Sequence, residues 1–137
     1  MSDHIIPDRS TDPKSLVGLY VIDTAPLNSE PHYVVKRIEG AARCRAGHLT
    51  YVDARLVSVD ADGYVRNASR NIRSLAFIPR AFYGSAVEAQ RNADRANEAR
   101  DIYLSLYREC SLKGAEFHAF CDRHENHIKS IIDGRIG

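Results

Sequence analysis

The period of hydrophobic and polar positions changes near residue 79 of the chain. Before this point, apolar residues come in short runs or alternate with polar ones, which is typical of strands. After it, apolar residues recur every three or four positions, as on one face of a helix. We therefore expect an α+β fold: an N-terminal antiparallel sheet, or small open barrel, of about four or five strands, followed by two C-terminal helices.

The strand patterns fall within residues 15–79. Val52, Ala54 and Leu56 alternate with charged residues, which predicts a strand buried on one face. Asp60-Ala-Asp-Gly63 follows with turn chemistry, so a hairpin is expected here. The segments with strand character are residues 16–22, expected to be the central strand, then 33–38, 49–59, 64–66 and 71–78. Residues 39–47 fit either a short strand or a long hairpin loop.

Two helices are predicted after the strands, at about residues 85–111 and 115–132. Ser85-Ala-Val-Glu88 matches a capping box, in which the serine hydroxyl accepts a hydrogen bond from the amide three residues later. Gly114 separates the two helices. The apolar face of the first helix carries Ala89, Ala93, Ala96, Tyr103, Tyr107 and Cys110, with the small residues first. The second helix carries Phe117, Phe120, Cys121, Ile128, Ile131 and Ile132.

Length and composition limit the class of protein. The chain has 137 residues and fits one domain, which we place at residues 15–137 after a mobile tail at 1–14. A formal net charge of +1 argues against nucleic acid as a partner. No apolar run reaches the roughly 20 residues of a membrane helix. The N-terminus lacks a signal-peptide pattern, so we expect a cytoplasmic protein in which Cys44, Cys110 and Cys121 are free thiols.

Potential metal ligands cluster on the second predicted helix: His118, Cys121, His124 and His127. Side chains three residues apart advance by about 300° around a helix axis, so these groups cannot converge on one tetrahedral ion without ligands from elsewhere. We therefore expect no metal and no cofactor. The alternative use of these histidines is a homodimer face that titrates near neutral pH.

Common catalytic and phosphate-binding signatures are missing from the sequence. There is no Gly-x-Ser-x-Gly, Gly-x-Gly-x-x-Gly or Gly-x-x-x-x-Gly-Lys motif. This favours a non-enzymatic binding protein that acts as an inhibitor, sponge or adaptor, with a small nucleotide or another protein as its partner. A small enzyme of uncharacterised type is the alternative.

The candidate ligand site is the junction between the last predicted strand and the first helix. A helix start presents unpaired amides and a positive dipole end, which suit a phosphate. Arginines there could hold phosphates, aromatic rings could stack on a base and an amide could read its edge. The candidate ligand-binding residues are Arg80, Phe82, Tyr83, Arg91, Asn92 and Arg95. In the alternative interpretation, the two rings anchor the helix to the sheet and the helical arginines lie on a solvated face.

The same junction carries a resemblance to a known family. The order of an antiparallel sheet, a strand ending in an aromatic residue and C-terminal helices, with the segment at residues 76–92, resembles the phage Thoeris anti-defence proteins that sequester cyclic ADP-ribose signals. The resemblance implies that Phe82 stacks on the base, that Asn92 hydrogen-bonds to it and that arginines hold the phosphates. It also implies a role in phage counter-defence.

Overall fold

A computed structural model describes residues 4–7, 11–26, 29–43, 50–76, 80–109 and 113–135. The fold is α+β, with one open antiparallel sheet followed by two helices. The sheet order is β1-β6-β2-β3-β4-β5. The strands are β1 (His4–Ile5), β2 (Tyr20–Thr24), β3 (Tyr33–Arg43), β4 (Thr50–Val59), β5 (Val65–Ala76) and β6 (Phe82–Tyr83), and the helices are α1 (Ala86–Glu109) and α2 (Ala115–Ile132).

Among the described residues the sheet has six strands, rather than the four or five expected. β1 and β6 contain two residues each, too few for an alternating pattern to show in the sequence. β1 lies within the segment expected to be a tail, and it pairs with β6. Two separate strands were expected at residues 64–66 and 71–78, but residues 65–66 and 71–76 belong to the single strand β5, whose pairing shifts in register opposite the segment from Arg55 to Val57. Residues 77–79 lie outside the described residues.

The predicted hairpin between β4 and β5 is confirmed. The Asp60 carboxylate accepts hydrogen bonds from the backbone amides of Asp62, at 3.0 Å, and Tyr64, at 2.9 Å. Gly63 has φ of +86°, a conformation that favours glycine. Val59 and Val65 pair directly on either side of the turn. This local chemistry sets the register in which β4 and β5 meet at the turn.

The strand that the sequence placed at residues 16–22 is shorter and starts later. Leu16 ends a 3₁₀ turn that begins at Pro13, and β2 starts at Tyr20. β2 lies inside the sheet, between β6 and β3. Because successive strand residues point to opposite faces, the neighbours Val21 and Ile22 are buried in different cores.

Each face of the sheet therefore has its own apolar cluster. The cluster under the helices contains Ile22, Val35, Val57, Ala81, Tyr83, Ala89 and Ala93. The cluster on the other face contains Leu16, Val21, Ile38, Val52, Ala54 and Phe82. Because successive strand residues point to opposite faces, Phe82 and Tyr83 of β6 pack in different clusters.

The helices begin and end close to their predicted bounds, although residues 110–112 lie outside the described residues. The Glu88 amide donates to the Ser85 hydroxyl at 3.2 Å, so the predicted serine cap is formed. Ala89, Ala93 and Ala96 are fully buried, which lets α1 lie close to the sheet. The two helices form an antiparallel hairpin, and no helix in the described part of the chain is long and apolar enough to cross a membrane.

Candidate ligand cleft beside helix α2

The two aromatic residues predicted to contact a ligand lie inside the protein. Phe82 is 1% exposed and packs with Leu16 and Val21, and Tyr83 is 0% exposed. A planar ligand could reach the Phe82 ring only if the ring left its cluster. In this structure Phe82 and Tyr83 anchor the junction to the sheet, as in the alternative interpretation.

Asn92 is also interior and takes part in a hydrogen-bond chain. Its side-chain amide donates to the Tyr83 hydroxyl at 3.1 Å, and that hydroxyl donates to the backbone carbonyl of Ile132. Burial raises the pKa of the Tyr83 phenol, while the hydrogen bond from Asn92 lowers it in part. The chain connects α1, β6 and the last residue of α2.

The three predicted arginines do not converge. Arg91 and Arg95 are exposed on α1. The Arg80 side chain is mostly buried, and its guanidinium lies 3.5 Å from the Asp23 carboxylate. The predicted ligand-binding residues are therefore dispersed. Phe82, Tyr83 and Asn92 lie in the interior, Arg91 and Arg95 face outward on α1, and Arg80 faces Asp23.

Arg80 lines a cleft between β2, β3 and the two helices, which we call the helix cleft. It has a volume of about 460 Å³. Apolar walls come from Ile22, Ile128 and Ile132, and the ring of Tyr33 adds an aromatic surface. The charged and titratable lining residues are Arg80, Arg100, Lys129, His124, Asp23, Glu125 and Asp133.

Asp23 holds Arg80 at the edge of the helix cleft. One carboxylate oxygen of Asp23 is 2.8 Å from Lys36 Nζ, and the other is 3.5 Å from Arg80. Burial alone would raise the pKa of Asp23, but the hydrogen bond and charge of Lys36, helped by Arg80, keep the pKa below its usual value. Asp23 is therefore ionised at neutral pH and already neutralised by two cations.

The positive charge of Arg100 acts on titratable groups in and beside the cleft. Burial is the largest cause that lowers the pKa values of His32 and His124, and the positive charge of Arg100 lowers both pKa values further. Burial raises the pKa of Tyr33, and Arg100 opposes that shift. The Tyr33 hydroxyl therefore stays protonated at neutral pH and can donate a hydrogen bond. Within the described part of the chain, neither Arg100 nor Lys129 forms an ion pair.

His124 also lines the cleft and has a buried polar nitrogen. Its ring stacks on Tyr103 with centroids 4.4 Å apart, and its buried Nε2 atom has no hydrogen-bond partner among the described residues. Burial is the main cause that lowers its pKa, so the imidazole is neutral near pH 7. A neutral imidazole nitrogen of this kind can accept or donate a hydrogen bond once a ligand or a side-chain movement reaches it.

The remaining potential metal ligands on α2 have different surroundings. His127 meets the edge of the Tyr103 ring, Cys121 is half-buried and His118 is exposed. Among the described residues, no group of three or more histidine, cysteine or acidic side chains is arranged to hold a metal ion. Cys44 and Cys110 lie outside the described residues.

A second cavity lies on the sheet face that the helices do not cover. It also measures about 460 Å³, with Val34, Ala54, Leu56 and Leu75 as apolar lining. Its cations are Lys36, which is engaged by Asp23, and Arg73. The helix cleft has more cationic side chains, drawn from more elements of the fold, and is the stronger candidate for an anionic ligand.

No protein-family model, no curated protein and no solved structure matches this chain.

Proposed function

We propose that the protein is a non-enzymatic binding protein that takes up a small phosphate-bearing molecule of nucleotide size in the helix cleft. One observation carries the proposal: Arg80, Arg100 and Lys129 come from three different parts of the chain and line one cavity with apolar walls. Cavities of about 300–1,000 Å³ are usual for small-molecule sites, and the helix cleft falls within that range.

The lining residues suit the parts of a nucleotide. Guanidinium groups bind phosphate oxygens in a bidentate manner, and Arg80 and Arg100 supply two of them. Apolar walls and the Tyr33 ring can cover a base. Glu125 and Asp133 also line the cleft, and carboxylates there can accept hydrogen bonds from ribose hydroxyls or a base amino group.

The lining carries three cationic and three acidic side chains, and Lys36 adds a fourth cation beside Asp23. Asp23 is neutralised by Lys36 and Arg80 together, so it does not repel a phosphate as a free carboxylate would. Arg100 and Lys129 have no acidic partner among the described residues within ion-pair distance. A bound phosphate group would therefore be the first partner at ion-pair distance for these two side chains.

Sequestration is the mode of action we propose for this binding. A protein that holds a nucleotide signal without converting it acts as a sponge, the role implied by the resemblance to Thoeris anti-defence proteins. In this proposal the phosphate-binding arginines are Arg80 and Arg100, while Phe82 and Asn92 keep structural roles.

Thermal unfolding with added ligands tests the proposal. The probes are ADP-ribose, ATP and inorganic phosphate, each added to the wild type, to Arg100→Gln and to Lys129→Gln. A ligand at 100 times its Kd stabilises a protein by about 2.7 kcal/mol, which a melting curve detects readily. We expect a nucleotide to raise the melting temperature of the wild type and to have much less effect on either variant.

Two further variants make the outcome decisive. Arg108→Gln removes an exposed arginine of α1 that does not line the cleft, and it should respond like the wild type. Arg91→Gln tests the site at the start of α1. If Arg91→Gln abolishes the shift and Arg100→Gln does not, the ligand binds at the helix start and the helix-cleft proposal is wrong. A wild type that none of the probes stabilises also contradicts it.

A further inference from the structure

Helix α1 has an exposed face that neither the sheet nor α2 covers. Arg95, Glu98, Ile102, Leu106 and Glu109 follow one another at steps of three or four residues and share this face, which we call the outer face of α1. Ile102 is 53% exposed and Leu106 is 42% exposed. Ile102 and Leu106 lie one helical turn apart and form one exposed apolar patch with charged residues on both sides, as protein interaction surfaces have.

The charges on the outer face have an order along the helix. Arg95 lies seven residues before Ile102, and Glu109 lies seven residues after it. Both are exposed, and neither forms an ion pair within the described part of the chain. At 1.5 Å per residue, each charge is about 10 Å from Ile102 along the helix axis.

We propose that the outer face of α1 pairs with the same face of a second copy of this chain, antiparallel and about a two-fold axis at Ile102. In that arrangement Ile102 meets its own copy, Leu106 covers the partner's stripe near Glu98, and Arg95 meets Glu109 on both sides of the axis. A parallel arrangement would place Arg95 against Arg95 and Glu109 against Glu109. The stripe is thus complementary to itself in only one of the two orientations.

This surface differs from the histidine face of α2 that the sequence suggested for a dimer. His124 and His127 contact Tyr103 of the same chain, so their rings take part in packing between α1 and α2. Ile102 lies about 100° around the axis of α1 from Tyr103, so the outer face of α1 is separate from that contact. One pair of helix faces buries less than the roughly 1,200 Å² of a standard stable interface, so the dimer should dissociate on dilution in the micromolar range.

Sedimentation equilibrium of the wild type and of charge-reversal variants tests the pairing. We expect a concentration-dependent dimer for the wild type. Ile102→Glu should remove it, and Arg95→Glu or Glu109→Arg alone should raise the dissociation constant by at least about tenfold, because each reversal places like charges together. The double variant Arg95→Glu with Glu109→Arg should restore dimerisation. Arg108→Glu, a reversal on the same helix outside the outer face, should behave like the wild type.

Two results would contradict dimerisation through the outer face of α1. A wild type that stays monomeric at all concentrations, or a dimer that persists in Ile102→Glu, would overturn the proposal. Single reversals that dissociate the dimer without restoration in the double variant would overturn the antiparallel register. Circular dichroism of each variant confirms that the helices are intact, which is expected because every substituted side chain is exposed.

Discussion

The Asn97 side chain of α1 forms two hydrogen bonds with the backbone of Tyr33 in β3. Its carbonyl oxygen accepts from the Tyr33 amide at 2.8 Å, and its amide donates to the Tyr33 carbonyl at 3.0 Å. The described pairing between β3 and β4 begins only at Lys36, so Asn97 satisfies backbone groups that β4 does not reach. The same contact fixes the residue whose ring lines the helix cleft.

Replacing Asn97 by alanine should destabilise the protein by about 1–3 kcal/mol, because two partly buried backbone groups lose their partner. Urea unfolding at neutral pH measures the change. Asn126→Ala, on the exposed side of α2, is the matched control and should cost less than about 0.5 kcal/mol. Equal stability of Asn97→Ala and Asn126→Ala would show that this contact does not hold α1 to the sheet.

Replacing Phe82 by alanine should destabilise the protein by about 3–5 kcal/mol, as is usual for truncating a buried aromatic ring. The ring is covered in the cluster with Leu16 and Val21, so the cost arises without any ligand. Chemical denaturation of the apo protein measures it. An apo protein of unchanged stability that no longer responds to a nucleotide would instead support the stacking role implied by the resemblance.

The pair Tyr83 and Asn92 should show energetic coupling. Tyr83→Phe removes the hydroxyl that accepts from Asn92 and donates to Ile132, so a loss of about 1–3 kcal/mol is expected. A double-mutant cycle of Tyr83→Phe with Asn92→Ala should give a coupling of about 0.5–1.5 kcal/mol. Additive effects of the two substitutions would contradict the hydrogen bond between them.

Stability should fall as the pH drops through the range in which free histidine titrates, about pH 7.5 to pH 5.5. Burial, together with Arg100, lowers the pKa values of His32 and His124, although Glu30 and Glu125 oppose these shifts. The unfolded chain therefore binds more protons than the folded protein in this range, and acid favours unfolding. Melting temperatures across the range measure the effect.

Substituting both histidines by glutamine should flatten this pH dependence. His118→Gln serves as the control, because His118 is exposed, and it should keep the slope of the wild type. A slope that is unchanged in the double variant would mean that other groups account for the acid sensitivity.

Local chemistry made part of the fold predictable. The turn at Asp60 to Gly63 and the cap at Ser85 depend on residues a few positions apart, and both form as expected. The strand β6 could not be predicted, because its two residues join the sheet only through long-range pairing with β1 and β2. An aromatic pair such as Phe82 and Tyr83 looks the same in sequence whether it packs inward or faces a ligand.

The helix cleft could not be predicted from sequence patterns, for a related reason. Arg80, Arg100 and Lys129 are separated by more than a helical turn and carry no motif, and only the packing of α1 and α2 against each other and against the sheet brings them to one cavity. Arg80 was predicted as a ligand-binding residue because it lies at the junction between the last predicted strand and the first helix. The helix arginines nearest to it in sequence, Arg91 and Arg95, lie on the outer side of α1, because a helix directs neighbouring residues to different faces.

The most direct test of nucleotide binding in the helix cleft is an amide chemical-shift titration of the isotopically labelled protein with ADP-ribose and ATP. If the helix cleft is the binding site, the largest shifts will come from residues near Arg80, Arg100 and His124, and they will be absent in Arg100→Gln. Shifts centred on Ser85 and Arg91 at the start of α1, or no shifts with either nucleotide, would contradict the proposed function.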